Sequence, residues 1–395
     1  MKRRKPLYIA LCLMVCACTL SGCIEEYEAD ISASDSNLLV VEGTICSGQL
    51  NTFILTRTQP VNSPLAPPVV EGASVSVRGS DGSVYATQGT DGRYSCWVDD
   101  LAPDVEYYLH IEVDGDVYES EPQKPLPTEG IADVSVVQDT RESNIDVLVT
   151  PDAPFNPDKA NYYSWTYDET WEVHPDHTTV IYFDIKTSQP VYDPNQFPTR
   201  GWKTLTASTI MVGSSLNYEG QQIRRLKLYD IDRTSERVYY KYSGLVHQRA
   251  ISKAEYEYGL ARRQAGSEMG GLFTPLPSAL PSNIHCLTSP KHVIGFVGCS
   301  LNTSAYRFFL HAEDYSVVRP LWKDDRRWLN DCDEMACYRM VVKEGMFLCE
   351  WKDERYRPGG VLQTAWAYDY QLDVRLRGAR DEEPDFWSLD ENISH

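Results

Sequence analysis

Three Asp-Gly dipeptides set the strongest constraint on what this chain can fold into. They occur at Asp81-Gly82, Asp91-Gly92 and Asp114-Gly115, each beside short runs rich in β-branched and aromatic residues. Asp-Gly supplies the positive φ angles that a two-residue type I′ turn requires, and such turns join antiparallel strands. Three of these turns at short spacing predict antiparallel meanders that pack face to face as a sandwich.

The β pattern resumes after a proline-rich stretch, which predicts two domains in tandem. Residues 38–121 are expected to form an N-terminal β-sandwich, and residues 131–395 a β-rich C-terminal domain. Between them, Pro122, Pro125 and Pro127 would stiffen a linker over 122–130. The predicted fold class is therefore mainly β, with two tandem immunoglobulin- or fibronectin-like sandwiches.

The second domain is predicted to carry one helical insertion and an irregular tail. A helix is expected near 252–265, because Ser252-Lys253-Ala254-Glu255 has the capping-box pattern and Gly266 follows the last apolar position. The stretch 319–366 shows neither helical nor strand periodicity. It is therefore predicted to be an irregular, aromatic segment that contains cysteines.

Cysteine usage is concentrated towards the C-terminus. After residue 23, seven cysteines remain, and five of them lie between residues 286 and 349. An odd number leaves at least one thiol unpaired. The disulfide candidates are Cys332, Cys337 and Cys349, of which the first two are close enough in sequence to close a small loop. Neither a CxxC pair nor an adjacent histidine supports a zinc site at these cysteines.

The N-terminus has the pattern of a bacterial lipoprotein signal. Four cations within the first six residues precede an apolar stretch from Leu7 to about Leu20, and Leu20-Ser21-Gly22-Cys23 looks like a lipobox. Residues 1–22 are therefore predicted to be a signal peptide, with lipid on Cys23 as the anchor in the outer membrane. Residues 23–37 would form an acidic tether, and their acidic cluster resembles the surface-export signal of Bacteroidota lipoproteins.

The charge balance excludes one large class of partner. Removing the four cations of 1–22 from the 37 Lys and Arg leaves 33 against 57 Asp and Glu, a net charge of about −24. A chain this acidic is not expected to bind nucleic acid by phosphate neutralisation, and anionic lipid would repel it. This acidic charge is typical of a hydrated protein surface that faces away from the membrane.

No motif in the sequence identifies a reaction or a cofactor. There is no GxSxG, P-loop, GxGxxG or HExxH pattern, so no catalytic residue, metal ligand or cofactor is predicted. His174 and His177 flank Pro175, which favours a polar loop over a metal site. The acidic stretch from Asp324 to Glu334 lacks the spacing of an EF-hand, although calcium remains an alternative there.

Tryptophan supplies the better candidates for ligand contact. Trp322, Trp328, Trp351 and Trp366 gather in the predicted irregular tail. Flat aromatic faces stack on sugars and peptide side chains, and tryptophan is favoured at binding hot spots. The alternative is that these rings fill the core of a loop-rich region that has few aliphatic residues, and this alternative is the favoured one.

Segments along most of the chain resemble one family of uncharacterised proteins. They include Val41-Glu42-Gly43, Glu71–Val75, Tyr163–Glu172, the helix entry at Gln248–Tyr258 and Pro384–Trp387. In this order they resemble the Bacteroidota lipoprotein family catalogued as domain of unknown function 4249. The resemblance implies placement at the cell surface and frequent association with TonB-dependent transporters, and it implies no reaction.

The leading hypothesis is a non-enzymatic binding protein at the cell surface, lipid-anchored in the outer membrane. It would be an accessory to a TonB-dependent transporter in nutrient capture, with a ligand that the sequence does not identify. Two alternatives stay open, namely a surface hydrolase that acts on glycan or peptide, and a structural or adhesin-like surface component.

Overall fold

A computed structural model describes residues 37–59, 65–154, 159–207, 210–267, 280–321, 323–388 and 393–394. The fold is mainly β, as predicted. In chain order the strands are β1 (Leu39–Cys46), β2 (Gln49–Arg57), β3 (Ser74–Gly79), β4 (Val84–Ala86), β5 (Gln88–Thr90), β6 (Arg93–Val98), β7 (Tyr107–Val113), β8 (Asp116–Ser120), β9 (Ile131–Val137), β10 (Ile145–Pro151), β11 (Tyr162–Val173), β12 (Ile181–Asp184), β13 (Gln189–Tyr192), β14 (Gly201–Thr206), β15 (Met211–Ser214), β16 (Leu226–Ile231), β17 (Lys241–Ala250), β18 (Ile284–Cys286), β19 (Val293–Ser300), β20 (Ser304–His311), β21 (Arg327–Asn330), β22 (Met346–Asp353), β23 (Leu362–Tyr368) and β24 (Ile393–Ser394). The helices are α1 (Lys253–Ser267), α2 (Glu334–Val342) and α3 (Asp369–Leu372).

The first unit is a sandwich of two five-stranded sheets. One sheet has the order β19-β1-β2-β6-β5 and the other β18-β8-β7-β3-β4. Alternate residues of each strand point inwards, so that Phe53 and Leu55 of one sheet share a core with Val77, Leu109 and Ile111 of the other. This alternation is what the period-2 pattern of the sequence predicts.

The Asp-Gly turns divide into two kinds. At Asp91-Gly92 the φ angles are 55° and 70°, and at Asp114-Gly115 they are 53° and 82°, so both residues of each pair occupy the left-handed region of a type I′ turn. The prediction is wrong at Asp81-Gly82, where only Gly82 has a positive φ. There the Asp81 carboxylate accepts hydrogen bonds from the Ser83 backbone N–H and hydroxyl, which favours a longer turn.

The first unit is completed by strands from much later in the chain. β19 pairs in parallel with β1 from Leu39↔Val293 to Cys46↔Ser300, and β18 pairs antiparallel with β8. An N-terminal sandwich made of 38–121 alone is therefore incomplete. The missing strands could not be assigned from sequence because parallel pairing needs a long connection, and local signals do not name the partner strand. Nearly every residue of β19 is buried, as expected for a strand covered on both faces.

The proline-rich stretch 122–130 is hydrogen-bonded to both units, and its end accepts hydrogen bonds from Gln248 of β17. The backbone N–H of Leu126 donates to Cys299 O, and that of Leu301 donates to Leu126 O. The side chain of Thr128 donates to Asn302 O at 2.8 Å. Because of these hydrogen bonds, the stretch is fixed across the C-terminal end of β19 and is not a free linker.

The second unit is another sandwich. Its larger sheet has the order β14-β11-β17-β20-β24, with β15 also paired to β11, and its smaller sheet has the order β16-β10-β9. β11 is the central strand, and it pairs with β17 from Tyr163↔Ala250 to Trp171↔Tyr242. The core between the sheets contains the buried Trp165, Val147 and Phe308.

The region 319–366, predicted to be irregular, contains regular structure. Strands β21, β23 and β22 form an antiparallel sheet, against which helix α2 and the β12–β13 hairpin pack. Cys332 and Cys337 form a disulfide at the start of α2, with their Cα atoms 6.2 Å apart. Phe183 from the hairpin joins Met340 and Trp366 in a small core, so a segment distant in sequence supplies the apolar cover that this region lacks by itself.

Helix α1 begins as its capping pattern predicts. The backbone N–H of Glu255 donates to the Ser252 hydroxyl at 3.1 Å. The Glu255 carboxylate, which would complete a capping box, instead accepts hydrogen bonds from Arg249. Tyr258 packs against Phe296 of β19 with ring centroids 5.7 Å apart, so the helix contacts the first unit. Among the described residues, no helix has the length and apolar character needed to cross a membrane.

Candidate functional site

The four candidate tryptophans do not form one surface. Trp366 is fully buried in the small C-terminal core, where its indole N–H donates to the Thr364 hydroxyl at 2.8 Å. Trp351 is half-buried, and its ring centroid lies 6.2 Å from that of Phe183. Trp322 lies outside the described residues. The favoured alternative, that these rings fill a core, holds for Trp366.

Among the three described members of the group, Trp328 is the exposed one, with 39% of its surface accessible. Two cations lie over its ring, with Arg326 at 5.0 Å and Lys352 at 5.6 Å from the centroid. Its indole N–H donates to Asp324 at 3.0 Å. Hydrogen bonds, mainly from Arg326, lower the pKa of Asp324, so this carboxylate is held by internal partners. The ring is thus presented in a fixed orientation.

A cleft of about 490 Å³ lies where the end of β11 meets residues 319–321 and 323–325. We call it the polar cleft. Its walls also come from β14, from the segment before β17 and from the turn after α3. It is lined by Glu172, Val173, His174, Pro175, Asp176, Lys203, Glu236, Tyr239, Tyr240, Arg319, Pro320, Leu321, Lys323, Asp325 and Arg377.

The two histidines near this cleft have separate carboxylate partners. His174 Nε2 lies 2.6 Å from Glu172, and His177 Nε2 lies 2.6 Å from Asp325. The hydrogen bond from His174 lowers the pKa of Glu172, and that from His177 lowers the pKa of Asp325. No group of potential metal ligands comes together among the described residues. The structure thus gives each imidazole a carboxylate hydrogen-bond partner of its own.

Two further ion pairs line the polar cleft. Lys203 donates to Glu236 at 2.6 Å, and Arg377 donates to Asp176 at 2.9 Å. Each of the four lining carboxylates therefore has a basic partner. Two lining cations, Arg319 and Lys323, have no carboxylate partner among the described residues. With the histidines neutral, the lining carries four Lys and Arg against four Asp and Glu, so the cleft has no net charge on a chain whose net charge is −20.

Arg319 is held in place by two neighbours that carry no negative charge. Its guanidinium donates to the Tyr239 carbonyl oxygen and lies 5.1 Å from the centroid of the Tyr240 ring. The Tyr240 ring also stacks on His174, with centroids 3.7 Å apart and planes inclined by 15°. A planar cation fixed in this way is suited to bind a planar anion.

A buried ion pair holds the wall that presents the two tyrosines. Arg237, in the turn before Tyr239, donates to both oxygens of Glu169 at 3.1 Å. Glu169 is only 1% exposed, and it also accepts from the Tyr242 hydroxyl at 2.9 Å. Burial raises the pKa of Glu169, while Arg237 opposes that shift. These bonds attach the turn to the central sheet.

A second cleft lies where the two sandwich units meet, and we call it the junction cleft. It measures about 570 Å³ and lies between β1, β19 and helix α1. Arg249 and Glu255 form an ion pair there, with side chains 14% and 13% exposed. Arg262 forms a more exposed pair with Glu42 at 2.9 Å. The Arg262–Glu42 pair links the second unit to the first, whereas Arg249 and Glu255 both belong to the second unit and Arg249 reaches the first through Ser300 of β19 at 3.4 Å.

Sequence reasoning missed both clefts. The lining residues of the polar cleft come from segments near 174, 240, 320 and 377, and none of these segments carries a motif. The one sequence feature that pointed to the polar cleft was the pair of histidines around Pro175, because the polar loop that it predicts forms part of the cleft wall.

The family of the chain follows from a match over most of its length. The family model described as domain of unknown function 4249 matches residues 24–305. The chain belongs to this family. The match covers the junction cleft entirely, whereas Arg319, Lys323 and Arg377 of the polar cleft lie beyond it. The Pro384–Trp387 segment that suggested the resemblance also lies beyond it.

Other comparisons add little. No curated protein matches this member of the family. Among solved structures, the crystal structure of a DUF4785 family protein from Legionella pneumophila is 9% identical, with a TM-score of 0.15. The alignment covers 53% of this chain and 52% of that one, so the chain spans about half the length of that protein. A likeness this weak carries no argument about fold or function.

Proposed function

We propose that this chain is a cell-surface lipoprotein of the outer membrane that binds a ligand without chemical turnover, as an accessory to a TonB-dependent transporter in nutrient capture. The observation that carries the binding role is the polar cleft, where Arg319 and Lys323 have no carboxylate partner among the described residues and Arg319 lies against the Tyr240 ring. A concave site with a few well-placed polar groups is the usual form of a small-ligand site.

The state of two carboxylates in this cleft favours hydrogen-bond acceptance over a general-acid role. A general acid at neutral pH needs a raised pKa, so that it still carries its proton. The pKa values of Glu172 and Asp325 are shifted the other way, because each carboxylate is bonded to a histidine. Both groups therefore stay anionic and can accept hydrogen bonds from a ligand.

The proposed anchor would make even a weak interaction useful. The lipobox ending at Cys23 would confine the protein to the same membrane as a transporter. Confinement raises the effective concentration of the partner, so a low-affinity contact could remain largely occupied. Handing over a ligand also requires weak binding, since a tightly held ligand leaves slowly.

The anchor is tested by replacing its cysteine. Cys23→Ala should release the protein from the membrane fraction or block its maturation, because lipid on Cys23 is the attachment that the sequence provides. Protease added to intact cells should digest the wild-type protein if it faces the exterior. Membrane partitioning that stays unchanged in the variant would refute the lipid anchor.

The transporter partnership is tested by crosslinking in intact cells, followed by affinity purification in mild detergent. A β-barrel transporter should co-purify with the wild-type chain. Trp328→Ala should reduce its yield, because Trp328 is the exposed candidate ring. Arg355→Ala, which removes an exposed side chain in the turn after β22, is the matched control. Absence of any barrel partner would refute the accessory role.

A further inference from the structure

The polar cleft combines two kinds of group that a single ligand class would satisfy. Arg319 and Lys323 are exposed cations that have no carboxylate partner among the described residues. In the lining of the same cleft, Glu172, Asp176 and Glu236 are carboxylates that already hold one basic partner each. A carboxylate has about four acceptor positions, so each of these retains capacity for a further hydrogen-bond donor.

Simple ligands satisfy only half of this arrangement. A bare polyanion would match Arg319 and Lys323 but would meet repulsion from the neighbouring carboxylates. A neutral sugar would donate its hydroxyl hydrogens to those carboxylates but would leave the two cations unmatched. A molecule that carries both a carboxylate and several hydroxyl groups would satisfy both halves.

The remaining lining residues suit a compact ring. Pro175, Pro320 and Leu321 offer apolar surface, and Leu321 is 97% exposed. Apolar and aromatic surfaces of this kind pack against the C–H face of a sugar ring. The cleft volume of about 490 Å³ falls within the range of about 300–1,000 Å³ that is typical of small-ligand sites.

We infer that the polar cleft binds a sugar acid of one or two rings, with Arg319 and Lys323 on its carboxylates and Glu172, Asp176 and Glu236 accepting from its hydroxyls. Arg319 is the main determinant, because its guanidinium is already oriented by Tyr239 and Tyr240 and can bind a carboxylate through two parallel hydrogen bonds. This inference rests on the proposed binding function and adds the class of ligand.

The test is titration calorimetry on the purified full-length lipoprotein in mild detergent. The probe is digalacturonate, and the comparison ligands are neutral cellobiose, succinate and inorganic phosphate. Digalacturonate should bind, and Arg319→Ala and Lys323→Ala should each weaken its binding at least tenfold. Raising the salt concentration should weaken it further, because exposed charges are screened.

A matched control separates local recognition from overall charge. Arg263→Ala removes the same charge from an exposed position in the junction cleft, and it should leave digalacturonate binding unchanged. Equal weakening by all three variants would overturn the assignment to the polar cleft. Equally tight binding of cellobiose would overturn the role of the cations, and equally tight binding of succinate or phosphate would overturn the role of the hydroxyls.

Failure of this inference is distinguishable from failure of the proposed function. If digalacturonate does not bind at all, the sugar-acid assignment is wrong. Co-purification of a transporter in the same preparation would then leave the accessory role standing with a different ligand.

Discussion

The junction cleft and the polar cleft are both lined by arginines and carboxylates, but they use these charges differently. At the junction, Arg249 and Glu255 are largely buried and bonded to each other. In the polar cleft, Arg319 and Lys323 are exposed and face solvent without a carboxylate partner. A charge that is largely buried and paired supports the fold, whereas an exposed charge without a carboxylate partner is free to meet a ligand.

The family match sharpens this comparison. The junction cleft is built entirely within residues 24–305, which the family model covers. The polar cleft takes its two cations without a carboxylate partner from described residues beyond 305. The family-defining part of the chain therefore supplies the link between the units, and the C-terminal part supplies the charges proposed to select a ligand.

The largest expected effect is at the junction. Arg249→Met should lower the free energy of unfolding by about 3–5 kcal/mol, because it leaves the Glu255 carboxylate, only 13% exposed, without its partner. Arg262→Met is the matched control, since its pair with Glu42 is more exposed and should be worth about 0–1 kcal/mol. Urea unfolding measures both. Equal losses would break the distinction between a buried and an exposed pair at this junction.

A smaller loss of stability is expected when a methyl group added at Gly298 pushes the Glu255 carboxylate away from Arg249. A Cβ added at Gly298 would lie 2.2 Å from Glu255 Oε2, so the carboxylate must move. Gly298→Ala should therefore cost about 1–3 kcal/mol. Gly130→Ala is the control, because its nearest neighbour would be 3.9 Å away, and it should change stability by less than about 1 kcal/mol. A harmless Gly298→Ala would show that Glu255 is free to move.

The cations of the polar cleft should be removable at little cost to the fold. Arg319→Ala and Lys323→Ala should each change the free energy of unfolding by no more than about 0.5 kcal/mol, because both side chains are exposed. The same urea experiment tests this expectation. A loss as large as that of Arg249→Met would place these cations in the scaffold and would remove the contrast between the two clefts.

The smallest effect concerns acid stability. Because His174 lowers the pKa of Glu172 in the folded state, this pair stabilises the protein above the ordinary pKa of 4.5, and the contribution is lost as pH falls through the lower, folded value. His174→Gln should therefore make the loss of stability below pH 4.5 shallower than in the wild type. Unfolding midpoints measured from pH 6 to pH 3 test this, and parallel curves would contradict it.

Much of the local structure could be predicted because local chemistry decides it. The positive φ angles at Asp91-Gly92 and Asp114-Gly115 depend on residues within the turn itself, and the cap of α1 depends on Ser252. The same reasoning failed at Asp81-Gly82, where the Ser83 side chain offered the carboxylate a competing hydrogen bond. Even local predictions therefore hold only where no neighbouring side chain competes.

By itself, the sequence determined the β class, the two hairpins, the start of the helix and the acidic charge, since each depends on residues close together in the chain or on composition. Tertiary structure alone decided that β19 pairs with β1, that Trp366 is buried while Trp328 is exposed, and that Arg319 lies beside Tyr240. The physical reason is that a strand edge or an apolar face accepts many partners. Which partner it meets depends on how the whole chain buries its surface.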